Sequence, residues 1–317
     1  MQAAFLDISS LGPQDLDLAP LEAAVDSLTF YDHTPPEQVV ERLQGADLVM
    51  VNKVVLSADV LQQLPNLKHI VIAATGANNI DLDVARKRGI SVQNCQAYGV
   101  DSVAQHTLML ILTLTTRLLD YRQAIQAGAW SQSPHFCLLD FPVESLAGKT
   151  LGIVGYGELG QAVGRLAEAF GMQICVAARP GQANINGRIP LAELLPQVDI
   201  LTLHCPLTPA TKDLIGAAEL QAMRQSALLI NCARGGIVNE EALLNALINN
   251  HIAGAAMDVL TVEPPPADHP LLQYQDNNLI LTPHSAWASR KARQTIVQQL
   301  AQNITSLASE QPQFLLS

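Results

Sequence analysis

The sequence predicts an α/β protein built from two doubly wound parallel-sheet domains, the second inserted into the first. Three observations predict it. The chain has 317 residues, more than one ordinary core accommodates and a fitting length for two. Short apolar, β-rich runs alternate with helical patterns almost throughout, the rhythm of parallel strands joined by crossover helices. That rhythm also restarts: one series of strands fills residues 1–100, a long helical stretch follows, and a second series begins at Thr150.

In the first series the predicted strands fall near residues 3–7, 47–51, 70–73 and 90–94, with helical stretches such as 36–43 between them. A long helix is then expected after Val100. Ser102 is its predicted N-cap, with Gln105 three positions on as a capping box requires. Val103, Leu110, Ile111, Leu114 and Leu118 share one face, and Gly128 is the predicted stop. The second series places strands at 151–155, 174–178, 200–204, 228–232, 253–258 and 279–282. Six strands with helices between them are the complement of a dinucleotide-binding sheet. A last helix is expected within 285–309, packed back on the first domain, so that the chain crosses between domains twice. The predicted boundaries are 1–100 and 286–317 for one domain and 101–285 for the other.

Composition narrows the function. Hydrophobic residues make up 49% and charged residues 15%, which excludes a disordered chain. The net charge of −11 lacks the basic face that phosphate backbones require, so no nucleic-acid partner is expected. The longest apolar run, 107–114, is far short of the roughly 18 residues that span a bilayer. MQAAFLDISS at the start is not a basic segment followed by an apolar block, so no secretory leader and no membrane partner are expected. The five cysteines, at 95, 137, 175, 205 and 232, form no CxxC pair. Neither a disulfide framework nor a structural metal site is expected, and a reducing cytoplasm fits.

The strongest local signal is LGIVGYGELG at 151–160. A GxGxxG is weak alone, but this one follows an apolar strand and opens a helical pattern at 161–170 that ends in Gly171. Gly155 permits the tight turn, Gly157 lets backbone approach a pyrophosphate, and Gly160 lets the helix pack on the strand. The N–H groups at the helix start, those of Glu158 and Leu159 included, hold the anion. An NAD site ordinarily carries an acid at the end of the next strand, where it binds the ribose 2′-hydroxyl. Here Ala178 stands at that position and Arg179 follows. A small residue leaves room for a 2′-phosphate and a guanidinium can pair with it. NADP(H) is therefore the expected cofactor, with NAD(H) as the alternative.

Three polar residues follow successive late strands, where open α/β sheets bind ligands. They are Arg234 in NCARGG, Glu263 in DVLTVEPP and His284 in TPHSA. Singly they read as a surface ion pair, a solvated loop acid and a turn histidine. Jointly they suit the reduction of a 2-keto acid. A guanidinium fork can grip the carboxylate and polarise the ketone. A histidine can protonate the developing alkoxide. A neighbouring carboxylate can orient that ring and favour its charged form.

At this point the sequence resembles the D-isomer-specific 2-hydroxyacid dehydrogenase family over nearly its whole length. The resemblance rests on GYGELG, on HCPLTPATKDLIG at 204–216, NCARGGIVNEEAL at 231–243, DVLTVEPP at 258–265 and TPHSAW at 282–287. It implies a Rossmann domain inserted into a flavodoxin-like substrate domain, with Arg234, Glu263 and His284 catalytic. It places His204, Cys205 and Pro206 by the adenosine end of the cofactor, and Cys232, Ala233 and Asp258 by its nicotinamide end. It implies that the 74–79 loop offers its N–H groups, those of Thr75, Gly76 and Ala77 among them, to the substrate carboxylate. A glycine-containing segment after a strand can form such an anion nest. Asn52 and Lys53, after the strand before it, are expected to line the same cleft, although Lys53 also reads as a solvated loop lysine.

Within the family the likeness points to reduction of hydroxypyruvate or glyoxylate to D-glycerate or glycolate. Oxidoreduction of another D-2-hydroxy acid, of lactate or branched-chain type, is the alternative, and a dinucleotide-sensing corepressor-like protein a more distant one. Two departures from the commoner family pattern stand out: the missing acid after the second strand, and Gln105 where many relatives carry Glu. No regulatory domain is expected after the final helix. Family members commonly pair as two-fold dimers, and the apolar, aperiodic segment 130–142 suits such an arm, with a loop folded over its own domain as the other reading. The expected partners are thus a small 2-keto or 2-hydroxy acid and a second copy of the chain.

Overall fold

The structure, a computed structural model, describes residues 1–179, 187–307 and 314–316. The chain divides into two compact units, Met1–Gly99 with Ala288–Ser317, and Val100–Trp287. The end of the predicted last helix, 308–309, lies outside the described residues.

The first unit is a five-stranded parallel sheet of β1 (Gln2–Phe5), β2 (Ser27–Phe30), β3 (Leu48–Val51), β4 (His69–Ile72) and β5 (Ser91–Gln93). Its order is β2-β1-β3-β4-β5, the doubly wound order whose ligand crevice lies at the carboxyl ends of β1 and β3. Leu48–Val51 is buried at every position, as a strand covered on both faces must be, hence its unbroken LVMV. The helix Arg290–Ser306 belongs to this unit and packs against β4. Ala292, Ile296, Leu300 and Ile304 recur every fourth residue on its buried side, with Val297. Burying a side chain such as Leu300 contributes roughly 1.5–3 kcal/mol. The strand β2 is absent from the sequence-based expectation. It is an edge strand paired with β1 alone, and its SLTF alternates between exposed and half-buried positions.

The second unit holds β6 (Thr150–Val154), β7 (Gln173–Val176), β8 (Ile200–Leu203), β9 (Leu228–Asn231), β10 (Gly254–Met257) and β11 (Leu279–Leu281), all parallel. The ladder runs β11-β10-β9-β8-β6-β7. Beyond β7, Ala177 pairs in parallel with Ile189, and Ala178 N donates to Ile189 O at 2.8 Å. With that single rung taken as the third strand, the order becomes 3-2-1-4-5-6 plus one further strand, the dinucleotide-binding arrangement. Alternate residues of the strands feed two cores. Leu201, Leu203 and Leu229 enter one, and Ile153, Ile200 and Ile230 enter the other.

The long helix predicted from Val100 to Gly128 is two helices, Val100–Thr115 and Leu118–Gln126. Arg117 breaks it with a left-handed backbone, φ 55°. Just before the break, the Thr115 and Thr116 hydroxyls donate to the carbonyls of Ile111 and Leu112, local bonds that bend helices. Leu118 accordingly lies on the second helix and is exposed, while Gly128 follows that helix with φ 81°. Ser102 is not an N-cap. It lies within the first helix, and its hydroxyl donates instead to Ala286 O at 2.7 Å. No helix among the described residues is long and apolar enough to cross a membrane.

Candidate active site

The glycine turn has the shape its sequence demands. Gly155 has φ +92°, and a Cβ there would lie 2.5 Å from His204 O. A Cβ on Gly160 would lie 2.1 Å from Gly155 O. Both positions are therefore closed to any side chain. Gly157 differs, with nothing within 4 Å of where its Cβ would stand, so the space beside the turn is open. The helix Glu158–Ala169 starts there, and its first internal acceptor is Gly157 O, taken by Gln161 N at 2.9 Å. The N–H groups of Glu158, Leu159 and Gly160 thus open the helix without a carbonyl in its preceding turn. Backbone pressed close on one side, open space on the other and unpaired donors at a helix start fit a pyrophosphate.

At the end of β7, Ala178 is buried and Arg179 exposed. No carboxylate occupies 176–179. Across the crevice, His204 follows β8. Burial pushes its imidazole down to about 3, so the ring is neutral. Its Nε2 lies 2.9 Å from Thr202 Oγ1 and its Nδ1 is buried without a partner. Cys205 and Pro206 follow directly, half-buried and exposed. Cys232 and Ala233, after β9, are buried. Burial raises the Cys232 thiol to about 12, which makes it no nucleophile.

Arg234 sits at the mouth of β9. The buried Asn231 shapes that turn, accepting from Ala233 N at 3.0 Å and donating to Arg234 O at 3.0 Å. Arg234 Nη1 donates to Ala233 O at 2.6 Å, which leaves the Nε–Nη2 edge, the bidentate one, uncommitted among the described residues. Gly235 is required by close approach, because a Cβ there would lie 1.9 Å from Leu260 O. That contact presses the loop after β9 against the loop after β10, which carries Glu263.

Glu263 Oε2 lies 2.6 Å from His284 Nδ1, and its Oε1 accepts from Leu260 N at 2.9 Å. A carboxylate facing Nδ1 places a proton on that nitrogen and leaves Nε2 out of the contact. Both side chains are about a third exposed, His284 at 30% and Glu263 at 33%, reachable by a small molecule. His284 has a left-handed backbone, φ 51°, a conformation that surrounding contacts must hold. Its N–H donates to Asp258 O at 2.8 Å and its carbonyl accepts from Trp287 Nε1 at 2.9 Å. The Asp258 carboxylate, nearly fully buried, accepts from Thr282 Oγ1 (2.5 Å), Ser285 N (2.9 Å) and Ala286 N (3.0 Å). Asp258 therefore spends its carboxylate on the turn that carries His284, a role its sequence position does not announce.

In the first unit, the residues expected to meet substrate stand at the carboxyl ends of β3 and β4. Asn52 is buried and its side chain donates to Ser10 Oγ at 3.0 Å. The buried Asp7, at the end of β1, accepts from the N–H groups of Asn52 (2.8 Å), Lys53 (2.6 Å) and Val54 (3.1 Å). It fixes a turn at the crevice that the strand order marks. After β4, Thr75 O accepts from Asn94 Nδ2 at 2.7 Å. Among the described residues, the N–H groups of Thr75, Gly76 and Ala77 meet no protein acceptor, as an anion nest requires.

Sequence reasoning missed Asp7 and His106. The His106 ring lies 3.1 Å from Thr282 Oγ1. No motif contains either residue. Only the position of Asp7, directly after an apolar strand, offers a signal.

The comparisons with known proteins agree with this chemistry. A family model described as D-isomer specific 2-hydroxyacid dehydrogenase, NAD binding domain, matches residues 108–286. The chain is 43% identical over 305 residues to a glycerate dehydrogenase of Methylorubrum extorquens, covering 94% of this chain and 96% of that one. It is 34% identical to a hydroxypyruvate reductase of Blautia hydrogenotrophica, with 98% of each chain covered. A solved NADPH-dependent glyoxylate/hydroxypyruvate reductase from Sinorhizobium meliloti, in complex with citrate, superposes with a TM-score of 0.84 at 25% identity, over 100% of this chain and 97% of that one. The family match spans more than half of the sequence and includes the glycine turn and the strand ends that carry Arg234, Glu263 and His284, so the chain belongs to the D-isomer-specific 2-hydroxyacid dehydrogenases, enzymes that use a nicotinamide dinucleotide.

Proposed function

We propose that the enzyme reduces hydroxypyruvate and glyoxylate to D-glycerate and glycolate, with NADPH as the preferred donor. The observation that carries the chemistry is the 2.6 Å contact between Glu263 and His284 Nδ1; Arg234, at another strand end of the same sheet, keeps one guanidinium edge uncommitted among the described residues. A bound nicotinamide supplies the hydride. The chain supplies the rest. Arg234 grips the carboxylate and draws electron density from the ketone. His284 donates the Nε2 proton to O2 as the hydride reaches C2, and Glu263 offsets the ring's charge until then. After donation the ring is neutral, with its proton on Nδ1, and Nε2 is ready to serve as the base for the reverse reaction. In the first unit, the Thr75–Ala77 N–H groups and Lys53 suit a carboxylate, while Asn52 belongs to the turn that presents Lys53. The pyrophosphate falls to the 155–160 turn, the adenosine to 204–206, and the nicotinamide to the neighbourhood of Cys232, Ala233 and Asp258. The relatives' names support hydroxypyruvate and glyoxylate as substrates.

Preference for NADPH rests on Ala178 and Arg179, which offer room and positive charge where an acid would repel a 2′-phosphate. The ratio of kcat/KM for NADPH to that for NADH, with hydroxypyruvate, tests this. A ratio well above one is expected, and it should fall about tenfold or more in Arg179→Ala as one charge-assisted pair is lost. A wild-type preference for NADH contradicts it.

We further propose that the enzyme is a homodimer. In the 130–142 segment Phe136 is 91% and Leu139 86% exposed, although Tyr121 donates to Phe141 O at 2.7 Å and Trp130 to Phe136 O at 2.9 Å. A loop folded over its own domain would bury these side chains, whereas an arm presents them. Light scattering should give twice the mass of the 34.0 kDa chain, and a monomer at working concentration refutes the pairing.

A further inference from the structure

We propose that His106 is a positioning residue for the reaction: by clamping Thr282 it fixes the turn that aims the His284 imidazole. The proposal rests on the reading of His284 as the acid, and the helix Val100–Thr115 carries the argument. Thr282 has one hydroxyl hydrogen, and Asp258 Oδ1, 2.5 Å away, is an acceptor that cannot donate. The hydroxyl therefore donates to Asp258. His106 Nε2, 3.1 Å from Thr282 Oγ1, can then only donate to it. The ring thus carries its proton on Nε2, and that nitrogen also lies 3.6 Å from Asp258 Oδ1. Both side chains are sheltered, His106 at 16% and Asp258 at 1% exposure, so water competes poorly for these bonds.

The same helix grips the other end of the turn. Ser102, four residues before His106 and so on the same helical face, donates to Ala286 O at 2.7 Å. Residues 282–286 are thus held at Thr282 by His106, at Ala286 by Ser102, and at Thr282, Ser285 and Ala286 by the Asp258 carboxylate. His284 sits at the centre of this clamp in the left-handed conformation, which persists only where neighbours over-determine it. Release of Thr282 frees its hydroxyl to rotate off Asp258 and loosens one end of the turn. The imidazole then samples positions away from the substrate oxygen while Glu263 remains in place.

The test is a kinetic cycle of His106→Leu, His106→Gln and Thr282→Val, each made in the wild type and in His284→Ala, with melting temperature and cofactor Kd by fluorescence titration as independent readouts. In the wild type, His106→Leu should lower kcat about tenfold or more, the scale of a small misplacement of a catalytic group. The keto-acid KM and the cofactor Kd should stay within about threefold, because binding groups are untouched. His106→Gln, whose amide can donate to Thr282, should recover most of the loss. In the His284→Ala background, His106→Leu should cost nothing further, since there is no imidazole left to aim. If His106→Leu fails to fold, Thr282→Val breaks the same link from the other side and should behave alike. An equal loss in both backgrounds, a loss confined to Kd, or unchanged kcat overturns the proposal alone. Normal turnover by His284→Ala overturns the assignment of the acid, and this proposal with it.

Discussion

Replacing His284 by alanine should lower kcat by about 10²–10⁴-fold, the range in which positioned proton transfer contributes, while the cofactor Kd stays near its wild-type value. The expectation follows from which atoms are committed. Nδ1 faces the Glu263 carboxylate at 2.6 Å, so the ring is oriented and its other nitrogen is the one presented for transfer. Hydride addition to C2 makes an alkoxide, and without His284 that charge lacks its positioned proton donor. The glycine turn at 155–160 and the β7 end lie on other strand ends and, among the described residues, make no hydrogen bond to His284, so cofactor affinity should be spared. Near-normal kcat in this variant would remove His284 as the acid.

Arg234→Lys should cost about 10²-fold or more in kcat/KM despite the retained positive charge, comparable to the loss of a preorganised donor to a developing oxyanion. Arg234 already gives Nη1 to Ala233 O at 2.6 Å. That bond locks the guanidinium plane and leaves the Nε–Nη2 edge to bind a carboxylate through two parallel donors. An ammonium has neither the plane nor the second fixed donor. Asn231 and Gly235 hold the backbone on either side of Arg234, so the lysine would stand in the right place with the wrong fork. Both kcat and KM should suffer, because the contact serves binding and polarisation together. Wild-type values of both would refute the role.

Much of this architecture could be read in the residues themselves. Fully buried parallel strands write themselves as unbroken apolar runs such as LVMV at 48–51 and LLI at 228–230; Arg234 follows the second of these closely, while His284 follows the apolar but half-buried LIL at 279–281. The Gly155–Gly160 turn was legible because steric closure leaves glycine as the only choice. What stayed hidden depends on partners far away in sequence or on weak local signals. The strand β2 is half exposed and pairs on one side, so its alternation in four residues is faint. The helix break at Arg117 lacks a glycine or proline to mark it, since an arginine holds the left-handed backbone there. Asp7 acts on amides 45 to 47 residues downstream, and His106 meets Thr282 across 176 residues. Spacing rules along the chain are blind to contacts of that kind. Ser102 shows the converse error. Its spacing to Gln105 imitates a capping box, but the helix starts two residues earlier and the hydroxyl serves the His284 turn instead.

The central claim is that this constellation reduces a small 2-keto acid at C2 to the D-hydroxy acid. It is tested most directly by initial rates of NADPH and NADH consumption with hydroxypyruvate, glyoxylate and pyruvate, followed by chiral analysis of the product. The account predicts fast turnover of hydroxypyruvate and glyoxylate, slower turnover of pyruvate, and D-glycerate as the product from hydroxypyruvate. L-glycerate, or no turnover of any keto acid with either cofactor, would contradict it.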